Sequence, residues 1–559
     1  MAGVRRRAGP AAALATSLVA STLALLGAAR PTIAHRVAPR LFAPSGACVA
    51  CHSNLRAADG EDVSIGYAWR STMMANASRD PYWQASLRRE VLERPGLQRE
   101  IEDECATCHM PMAARQARAD GRHVDAIARL PLVRASAEED VGDADDALAA
   151  DGVSCSVCHQ VAADRLGDPS TFNGRFAIDT VTRYGRRRVF GPHDVDAGRT
   201  RIMHTSSEFV PTRGDHIRAS ELCATCHTLH TEARDAAGRI VGRLPEQVPY
   251  QEWRHSGYAG ADGKSCQACH MPVVADSTAI SGVWGQPRPG LARHEFLGGN
   301  FLVLGMLDRY RTELGVRALP EELAQRARRT MAHLGADAAR VSVDGLHVDG
   351  TRLAADVVVR NLGGHKLPTA YPSRRAWLHV VVRDADGRVV FESGRMNGTG
   401  AIVGDDNDAD AATFEPHYRE ITRADQVQIY EPILGDATGH VTTVLLSAVG
   451  YLKDNRLLPE GFDKRTAGDD IAVHGDALDD PDFAAGGDRV RYVVDVSHGR
   501  GPFRMDATLR YQPIGFRWAK NLGPLAGHGA PEIDRFGAYY DAMASGSSAV
   551  LAAGSATAR

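Results

Sequence analysis

This sequence of 559 residues lacks an excess of positive charge, and its aromatic side chains are few. The 65 Lys and Arg residues are outnumbered by 69 Asp and Glu, so the formal net charge is −4. That balance leaves no basic excess for binding a nucleic-acid backbone. Aromatic residues make up only 6% of the chain, which is little for the core of a protein this long. Nucleophile-elbow, P-loop and dinucleotide-binding fingerprints are also absent, so none of these common enzyme classes is indicated.

Long apolar runs are lacking after residue 34, so no membrane span is expected in the main part of the chain. Residues 1–34 have the pattern of a signal peptide: arginines at 5–7 precede an uncharged apolar run over 11–29, and small residues offer cleavage sites. An uncleaved anchor is the alternative, because the run nearly reaches the ~20 residues that span a bilayer. Cleavage would remove four arginines and no acid, leaving a charge of −8 on a protein of the periplasm or extracellular face of a bacterium.

The sequence has no cysteine outside one arrangement, Cys-x-x-Cys-His, which occurs five times and contains all ten cysteines. It is the attachment signature of c-type haem, in which both thiols form thioethers and the histidine supplies the proximal nitrogen to iron. Zinc sites and disulfides are the alternatives, but neither requires the histidine. The sequence predicts five covalently bound c-type haems on Cys48 and Cys51, Cys105 and Cys108, Cys155 and Cys158, Cys223 and Cys226, and Cys266 and Cys269. The predicted proximal ligands are His52, His109, His159, His227 and His270.

The predicted haems also account for the shortage of aromatic residues, because porphyrins can replace much of a side-chain core. Residues 35–300 are therefore expected to form a pentahaem cytochrome c domain that its cofactors organise. Within it, one order of three elements occurs twice: a Cys-x-x-Cys-His motif, a Trp…Ser element and a Cys-x-x-Cys-His-Met-Pro motif. The tryptophan is Trp69 in one copy and Trp253 in the other. This order indicates a duplicated two-haem unit on either side of the third motif.

The periodicity changes twice after residue 300. Apolar residues recur at helical spacing over 301–338, which predicts two connecting helices broken near Pro320. Alternation then predicts a β-sandwich-like domain over 339–525, and residues 526–559 are expected to be a C-terminal tail. The predicted fold class is mixed, with a haem-organised, mainly α or irregular N-terminal domain, then helices and the β-sandwich-like domain.

An acidic stretch at 405–410 lies within the predicted β-rich part. It resembles part of a calcium-binding loop, but the glycine and the terminal glutamate of the full motif are missing. We expect a solvated loop here.

With these motifs, the chain resembles the multihaem cytochrome c superfamily that includes tetrahaem cytochromes and octahaem hydroxylamine oxidoreductases, and within it a cytochrome c-552/4-like pentahaem branch. Further segments that carry the resemblance are 71–81, 151–155, 294–300, 364–369 and 454–459. It implies a c-type cytochrome and leaves the physiological role open, because family does not fix function. Many relatives carry a histidine soon after the Trp…Ser element, where this chain has Met73 and Met74 in one copy and Tyr258 in the other.

The distal ligand of each haem decides its chemistry, because two strong axial ligands suit electron transfer and an open position can bind a small molecule. His294 is a candidate, since it follows the fifth motif by 24 residues within a family-like segment. His204 and His216 precede the fourth motif, and His365 lies in an otherwise apolar strand region; these are further candidates. Met73 or Met74 can supply a thioether, although the pair fits core filler equally well.

The leading prediction is an exported pentahaem cytochrome that transfers electrons between redox partners, such as a membrane quinol-oxidising complex or another cytochrome. Two alternatives remain open. One is an oxidoreductase in which an open-site haem acts on a small nitrogen or sulfur compound, with nearby Arg and His to stabilise charge and deliver protons. The other is a structural module of an extracellular cytochrome assembly. Nucleic acid is not an expected partner, and a membrane is one only if the N-terminal segment is uncleaved.

Overall fold

Short helices separated by loops make up most of the first 300 residues. The structure is a computed structural model that describes residues 1–3, 40–135, 144–235, 237–260 and 263–558, so the predicted signal peptide lies almost entirely outside the described residues. The helices of this part are Gly46–Val49 (α1), Ile65–Arg70 (α2), Pro81–Glu93 (α3), Gln98–His109 (α4), Pro111–Ala119 (α5), Ala126–Ala135 (α6), Ala144–Ala150 (α7), Cys155–Cys158 (α8), Ala197–Ser207 (α9), Ser220–Ala224 (α10), Pro249–Arg254 (α11) and Cys266–His270 (α12).

Prolines and capping side chains determine where several of these helices begin. Pro81, Pro111 and Pro249 each occupy the first turn, where the missing backbone N–H needs no partner. The carboxylate of Asp80 caps α3 by accepting hydrogen bonds from the backbone N–H groups of Tyr82 and Trp83, at 2.8 and 3.2 Å. These local signals keep the helices short, so the chain turns often around a shared interior.

Three two-stranded ribbons interrupt the helices, although a mainly α or irregular domain was expected over 35–300. Their strands are Arg187–Gly191 (β1) parallel to Phe209–Arg213 (β2), Leu229–Arg234 (β3) antiparallel to Ile240–Gln247 (β4), and Thr278–Ala279 (β5) antiparallel to Pro287–Arg288 (β6). Such short strands carry too few residues for alternation to distinguish them from loops.

Two helices follow, Phe301–Arg309 (α13) and Pro320–Asp337 (α14), as the helical spacing over 301–338 predicts. Asn300 caps α13, and the Glu322 carboxylate accepts a hydrogen bond from the backbone N–H of Leu319 at 3.0 Å, just before α14. Their apolar faces share one buried cluster with α3 and with a helix near the C-terminus. No helix among the described residues combines the length and the apolar character needed to cross a bilayer.

Two β-sheets packed face to face form the β-rich part. The strands are Ala339–Asp349 (β7), Arg352–Asn361 (β8), Arg375–Arg383 (β9), Val389–Ser393 (β10), Glu420–Ile421 (β11), Ile429–Tyr430 (β12), Pro432–Asp436 (β13), Val441–Thr442 (β14), Ala448–Asp454 (β15), Gly487–Asp495 (β16), Phe503–Gln512 (β17) and Ala549–Ala558 (β18). One sheet has the order β10-β9-β17-β18, with β12 also paired to β9, and the other β11-β16-β8-β7; β14-β13-β15 form a third. Side chains such as Val357 and Val490 from one sheet and Leu378 and Leu509 from the other share a single buried core.

The helix-and-sheet composition agrees with the predicted mixed class, but the C-terminal segment does not behave as a tail. Helix Pro531–Met543 (α17) packs Phe536 against Tyr82 of α3, with ring centres 5.0 Å apart. Strand β18 pairs antiparallel with β17 along nearly its whole length. The sequence hides this strand because it consists mainly of small residues with little contrast between its two faces.

The expected boundaries at 300 and 339 do not separate independent bodies either, since Pro39–Arg559 form one compact unit. The physical reason is the segment between β8 and β9, which reaches back to the helices. There the backbone N–H of Lys366 donates to the carboxylate of Glu252 on α11 at 3.1 Å.

Asp405, Asn407 and Asp408 of the acidic stretch at 405–410 are buried, so the expectation of a solvated loop is wrong for them, whereas Asp406 and Asp410 are exposed. Asp405 caps the short helix Asp406–Ala409 (α15). The next helix along the chain is Phe516–Lys520 (α16). Arg375 on β9 forms ion pairs with Asp405 and Asp408 at 2.7 and 2.8 Å. The guanidinium offsets one negative charge, and burial together with the neighbouring Asp408 raises the pKa of Asp405 well above its usual value.

Replacing Phe536 with Ala is expected to destabilise the protein by about 3–5 kcal/mol, the usual cost of removing a buried aromatic ring. Its side chain is fully buried against Tyr82 and Tyr540. Denaturant unfolding followed by circular dichroism measures the effect. Val550→Ala, at a site on β18 that is 45% exposed, is the control. An unchanged midpoint for Phe536→Ala would show that the C-terminal helix is not part of the cooperative fold.

Candidate functional site

One cavity of about 1380 Å³ lies among the short helices and reaches the segment between β8 and β9. Every Cys-x-x-Cys-His motif lines it with its histidine and at least one cysteine, and Cys51 is the single motif cysteine that does not. The cavity is larger than the roughly 300–1,000 Å³ of an ordinary small-molecule pocket. Motifs spread over more than 200 residues of sequence therefore open into one interior space.

A backbone carbonyl orients four of the five motif histidines, each of which donates its Nδ1 proton. The pairs are His52 with Ile280 at 2.5 Å, His109 with Ala77 at 3.0 Å, His159 with Phe190 at 2.6 Å, and His270 with Leu297. Metal-binding histidines normally make such a bond, which fixes the tautomer whose Nε2 carries the lone pair. These four side chains are therefore set to bind a metal through Nε2.

Burial also keeps four of the five motif imidazoles neutral. It lowers the pKa of His109 and of His270 to about 4, and it lowers the pKa of His159 and of His227 below the usual value. The neutral form is the one that binds metals. His227 differs from the others in that none of the described residues accepts a hydrogen bond from its ring.

None of the ten cysteines forms a disulfide, and cysteines of different motifs touch. Cys48 is hydrogen-bonded to Cys155, Cys108 to Cys226, and Cys223 to Cys266. These contacts join the first motif to the third, the second to the fourth, and the fourth to the fifth. Burial raises the pKa of Cys158 to about 12 and that of Cys105 well above its usual value, so these thiols are protonated.

The zinc alternative finds no support in this arrangement. A zinc ribbon requires four ligand atoms around one point. Within the described ranges, His417, Asp480 and Asp488 form the one group of three or more Cys, His, Asp or Glu side chains whose ligand atoms lie within 4.8 Å of one another. This group contains no motif residue.

Two histidines outside the motifs face motif histidines across the cavity. The ring centres of His159 and His294 lie 6.3 Å apart with planes 16° from parallel, and those of His270 and His365 lie 6.2 Å apart at 13°. Two imidazoles on opposite faces of one metal ion need about this separation, because each metal–nitrogen bond is about 2.0 Å long and each ring adds roughly 1.2 Å. Both pairs therefore fit a haem iron between them.

The two facing histidines are oriented in the same way as the motif histidines. Nδ1 of His294 donates to the carbonyl of Ala292 at 3.0 Å, and Nδ1 of His365 donates to that of Lys366 at 2.9 Å. Burial lowers the pKa of His294 to about 4. Both residues were candidates from the sequence, and the structure sets one opposite the third motif and the other opposite the fifth.

His333 on α14 is a site residue that the sequence analysis missed. Its ring centre lies 6.5 Å from that of His270 at an angle of 66°, and its Nδ1 lies 3.0 Å from the carboxylate of Asp337. A single histidine on an amphipathic helix has no spacing that marks it as a ligand, so no sequence signal pointed to it.

His204 and His216, two of the predicted distal candidates, are not brought to the cavity. Nε2 of His204 is hydrogen-bonded to the carbonyl of Gly185, and Nε2 of His216 to that of Val161 at 2.9 Å. Neither residue lines the cavity wall. In the motif histidines a backbone carbonyl binds Nδ1 and leaves Nε2 available for a metal. In His204 and His216 the carbonyl binds Nε2 itself, so these imidazoles hold loops together.

Met73 and Met74 both line the cavity. Met73 also packs against the hydrophobic cluster of α13, α14 and α17, as core filler does. The position fits a thioether ligand and core filler alike. Tyr258, the counterpart in the second copy, is engaged elsewhere, because its hydroxyl donates to the carbonyl of Leu362 at 2.8 Å.

The two tryptophans of the duplicated element have equivalent contacts. Nε1–H of Trp69 donates to the carbonyl of Val153 at 3.0 Å, and Nε1–H of Trp253 donates to that of Lys264 at 2.9 Å. Each acceptor lies two residues before the first cysteine of a motif, the third in one case and the fifth in the other. The repeat in the sequence is thus also a repeat in contacts, and each tryptophan holds the start of a later motif.

One wall of the cavity, near the second motif, is polar. The hydroxyl of Tyr82 is hydrogen-bonded to that of Tyr371, and the carboxylates of Glu90 and Glu246 line the same cavity. Burial, with the nearby Glu104 and Glu90 carboxylates, raises the pKa of Glu246 to about 8, so this group is protonated at neutral pH. Such a side chain can give or take a proton near pH 7.

His417, Asp480 and Asp488 lie in the β-rich part, away from the cavity, and their hydrogen bonds argue against a metal there. Nδ1 of His417 accepts from the side-chain amides of Gln428 and Asn455, at 2.9 and 3.1 Å. Both amides are held in that orientation because their oxygens accept backbone N–H groups. The imidazole proton must then lie on Nε2, which donates to Asp480 at 3.2 Å. The nitrogen that would bind a metal is already protonated.

Comparison with known proteins adds little. No protein-family model matches the sequence, and no curated protein sequence matches it. A structural search matches the chain to the crystal structure of a penta-haem cytochrome c552 from Thermochromatium tepidum, with 16% sequence identity and a TM-score of 0.48. The match covers 93% of this chain and all of that one. A TM-score below 0.5 does not establish a shared fold.

Elemental analysis is expected to find well under one equivalent of zinc or calcium in the purified protein after washing with chelator. The reason is the proton on Nε2 of His417. Asp480→Asn, which removes the charged acceptor of that proton, is expected to cost about 1–3 kcal/mol of stability without changing the metal content. One equivalent of zinc in the native protein that disappears in Asp480→Asn would contradict this interpretation.

Proposed function

We propose that this chain is a multihaem c-type cytochrome that carries five covalently bound haems and passes single electrons between redox partners. The observation that carries the proposal is the shared cavity into which all five Cys-x-x-Cys-His motifs open. Neutral imidazoles fixed at Nδ1 and free thiols form a donor set that fits haem c. Haem iron, when bound, supplies one-electron redox chemistry.

The ten motif cysteines hold the porphyrins by thioether bonds, and His52, His109, His159, His227 and His270 are the proximal ligands. His294 and His365, which face His159 and His270, would supply the second imidazole to these two haems. Two histidine ligands leave no open position, so the third and fifth haems serve electron transfer and not substrate binding. The three thiol contacts bring the first attachment site beside the third, and the second and fifth beside the fourth, which supports electron transfer within each of these two groups.

A second candidate function has its own supporting observation. Within the described residues, a second imidazole faces only two of the five motif histidines, which leaves the haems of the first, second and fourth motifs for methionine, another ligand or an open site. The polar wall beside the second motif adds proton-bearing side chains, Glu246 and Tyr82 among them. An open haem beside such a wall would suit the reduction or oxidation of a small nitrogen or sulfur compound.

Localisation and partners follow from the same proposal. Covalent haem attachment takes place outside the cytoplasmic membrane, so the N-terminal segment acts as an export signal and the protein works in the periplasm or at the extracellular face. Its partners are other redox proteins, a quinol-oxidising membrane complex or another cytochrome. Membership of an extracellular cytochrome assembly would show as particles much larger than one chain.

Mass spectrometry under denaturing conditions is expected to find five haem additions on the processed chain, because thioether bonds survive unfolding. The variant Cys266→Ser/Cys269→Ser is expected to carry four, since only the fifth attachment site is lost. A colourless chain with no added mass, or a native chain with fewer than five haems, would contradict the proposed cofactor content.

Carbon monoxide binding to the reduced protein tests the distal ligands. His294→Ala is expected to add one carbon-monoxide-binding haem per chain, because the position opposite His159 becomes open. His204→Ala is the matched control and is expected to leave the binding stoichiometry unchanged, since that imidazole lies outside the cavity. Equal stoichiometry in His294→Ala and the native protein would remove His294 from the ligand set.

A further inference from the structure

His365 lies in a loop, and something other than regular structure must hold it. The loop connects β8, which ends at Asn361, to β9, which begins at Arg375. It packs tightly against the duplicated element, because a Cβ atom on Gly364 would come within 3.2 Å of both Trp253 and Tyr258. Close packing limits where the loop lies, but it does not fix the direction of an imidazole.

Lys366, the next residue, is anchored by three separate groups. Its ammonium is fully buried and donates to the carboxylate of Asp454 at 2.7 Å and to the carbonyl of Ala472 at 3.1 Å. Its backbone N–H donates to Glu252 at 3.1 Å. Its carbonyl accepts Nδ1–H of His365 at 2.9 Å. The residue that sets the tautomer of His365 is thus itself held by a buried ion pair.

Two further charges complete the network around this lysine. Arg456 donates twice to Asp454, both times at 2.8 Å, and forms an ion pair with Glu252 at 2.9 Å. The two cations and two anions balance, which is what allows four charged side chains to be buried together. Glu252 belongs to α11, and Asp454 ends β15, so the network ties the loop to both parts of the fold.

The network also explains two sequence segments whose role was open, 364–369 and 454–459. The backbone N–H of Leu367 donates to the carbonyl of Leu457 at 2.9 Å, and that of Leu457 donates back at 3.0 Å. Together with the Lys366–Asp454 pair, this bridge joins the two segments into one unit behind His365.

The other facing histidine has a similar support. Glu295 directly follows His294 and is almost completely buried. It forms ion pairs with Arg326, at 3.4 Å, and with Arg329, both on α14. In both places, the residue after the facing imidazole is a buried charge with partners on a distant element.

We propose that Lys366, held by Asp454, is a positioning residue that keeps the Nε2 atom of His365 directed at the haem of the fifth motif. The inference rests on the proposed function, in which His365 is the distal ligand of that haem. Lys366 touches neither haem nor substrate and acts through the loop that carries His365. Without its ammonium the imidazole spends more time away from iron.

The variant Lys366→Met tests this role. It removes the ammonium while Asp454 keeps both bonds from Arg456, so each carboxylate keeps a hydrogen-bonded partner although one cation then serves both. The rate of carbon monoxide binding at this haem in the reduced protein is expected to rise roughly 10- to 100-fold, the equilibrium change that loss of one charge-assisted hydrogen bond produces. A high-spin signal from one haem should appear in the electron paramagnetic resonance spectrum of the oxidised protein.

Lys464→Met is the matched control. Nζ of Lys464 donates to the carbonyls of Ala477, Asp480 and Phe483 at 3.0, 2.5 and 2.8 Å, and it lies over a phenylalanine ring just as Lys366 does. It does not line the cavity. Lys464→Met is expected to lower the unfolding midpoint and to leave carbon monoxide binding and the spectra unchanged.

His365→Ala separates the positioning role from the ligand assignment. If His365→Ala opens one haem and Lys366→Met leaves that haem as in the native protein, the positioning role is overturned while the proposed function stands. If His365→Ala changes nothing, the ligand assignment itself fails. Should Lys366→Met not take up five haems, Asp454→Asn replaces it, because Asn removes the charge that holds the Lys366 ammonium and keeps a side-chain oxygen in its place. An increase in carbon monoxide binding rate in Asp454→Asn supports the proposal, and a native rate overturns it.

Discussion

The hydrogen bond from the Nδ1 atom of a motif histidine to a backbone carbonyl is the interaction on which the rest of the structure depends. A Cys-x-x-Cys-His turn places a histidine near its cysteines, but it does not determine which ring nitrogen is available or where the ring points. The carbonyls that do so lie 27 to 228 residues away in sequence. Each bond therefore prepares a ligand and also ties a short helical turn to a distant segment, as His52 does with Ile280.

Buried charge performs the corresponding task on the opposite side of the cavity. His294 and His365 come from loops and lack a motif of their own, and each is followed by a charged residue whose partners lie elsewhere in the fold. An ion pair needs close geometry to offset the loss of hydration, so it tolerates little movement of the loop that carries it. This explains why the β-rich part cannot be regarded as a separate module: Lys366, Asp454 and Glu252 connect its loop to the helices around the cavity.

Local chemistry could be predicted from the sequence, and long-range placement could not. The spacing of cysteines and histidines, the two helices α13 and α14 and the mixed class are properties of neighbouring residues, and each is visible in a short window. In such a window His294 and His204 both look like isolated histidines. In the fold, His294 faces His159, whereas His204 is hydrogen-bonded to the carbonyl of Gly185. Burial of the acidic stretch depends on Arg375, some thirty residues earlier, and strand β18 is recognisable only through its pairing with β17.

The most direct test of the account is an experimental structure of the mature protein with its iron atoms located by anomalous scattering. The account predicts five iron sites inside the cavity, one between His159 and His294 and one between His270 and His365, with continuous density from each porphyrin to two cysteines. Cysteines joined as disulfides, metal bound by thiolates alone, or iron sites lying away from these two histidine pairs would contradict it.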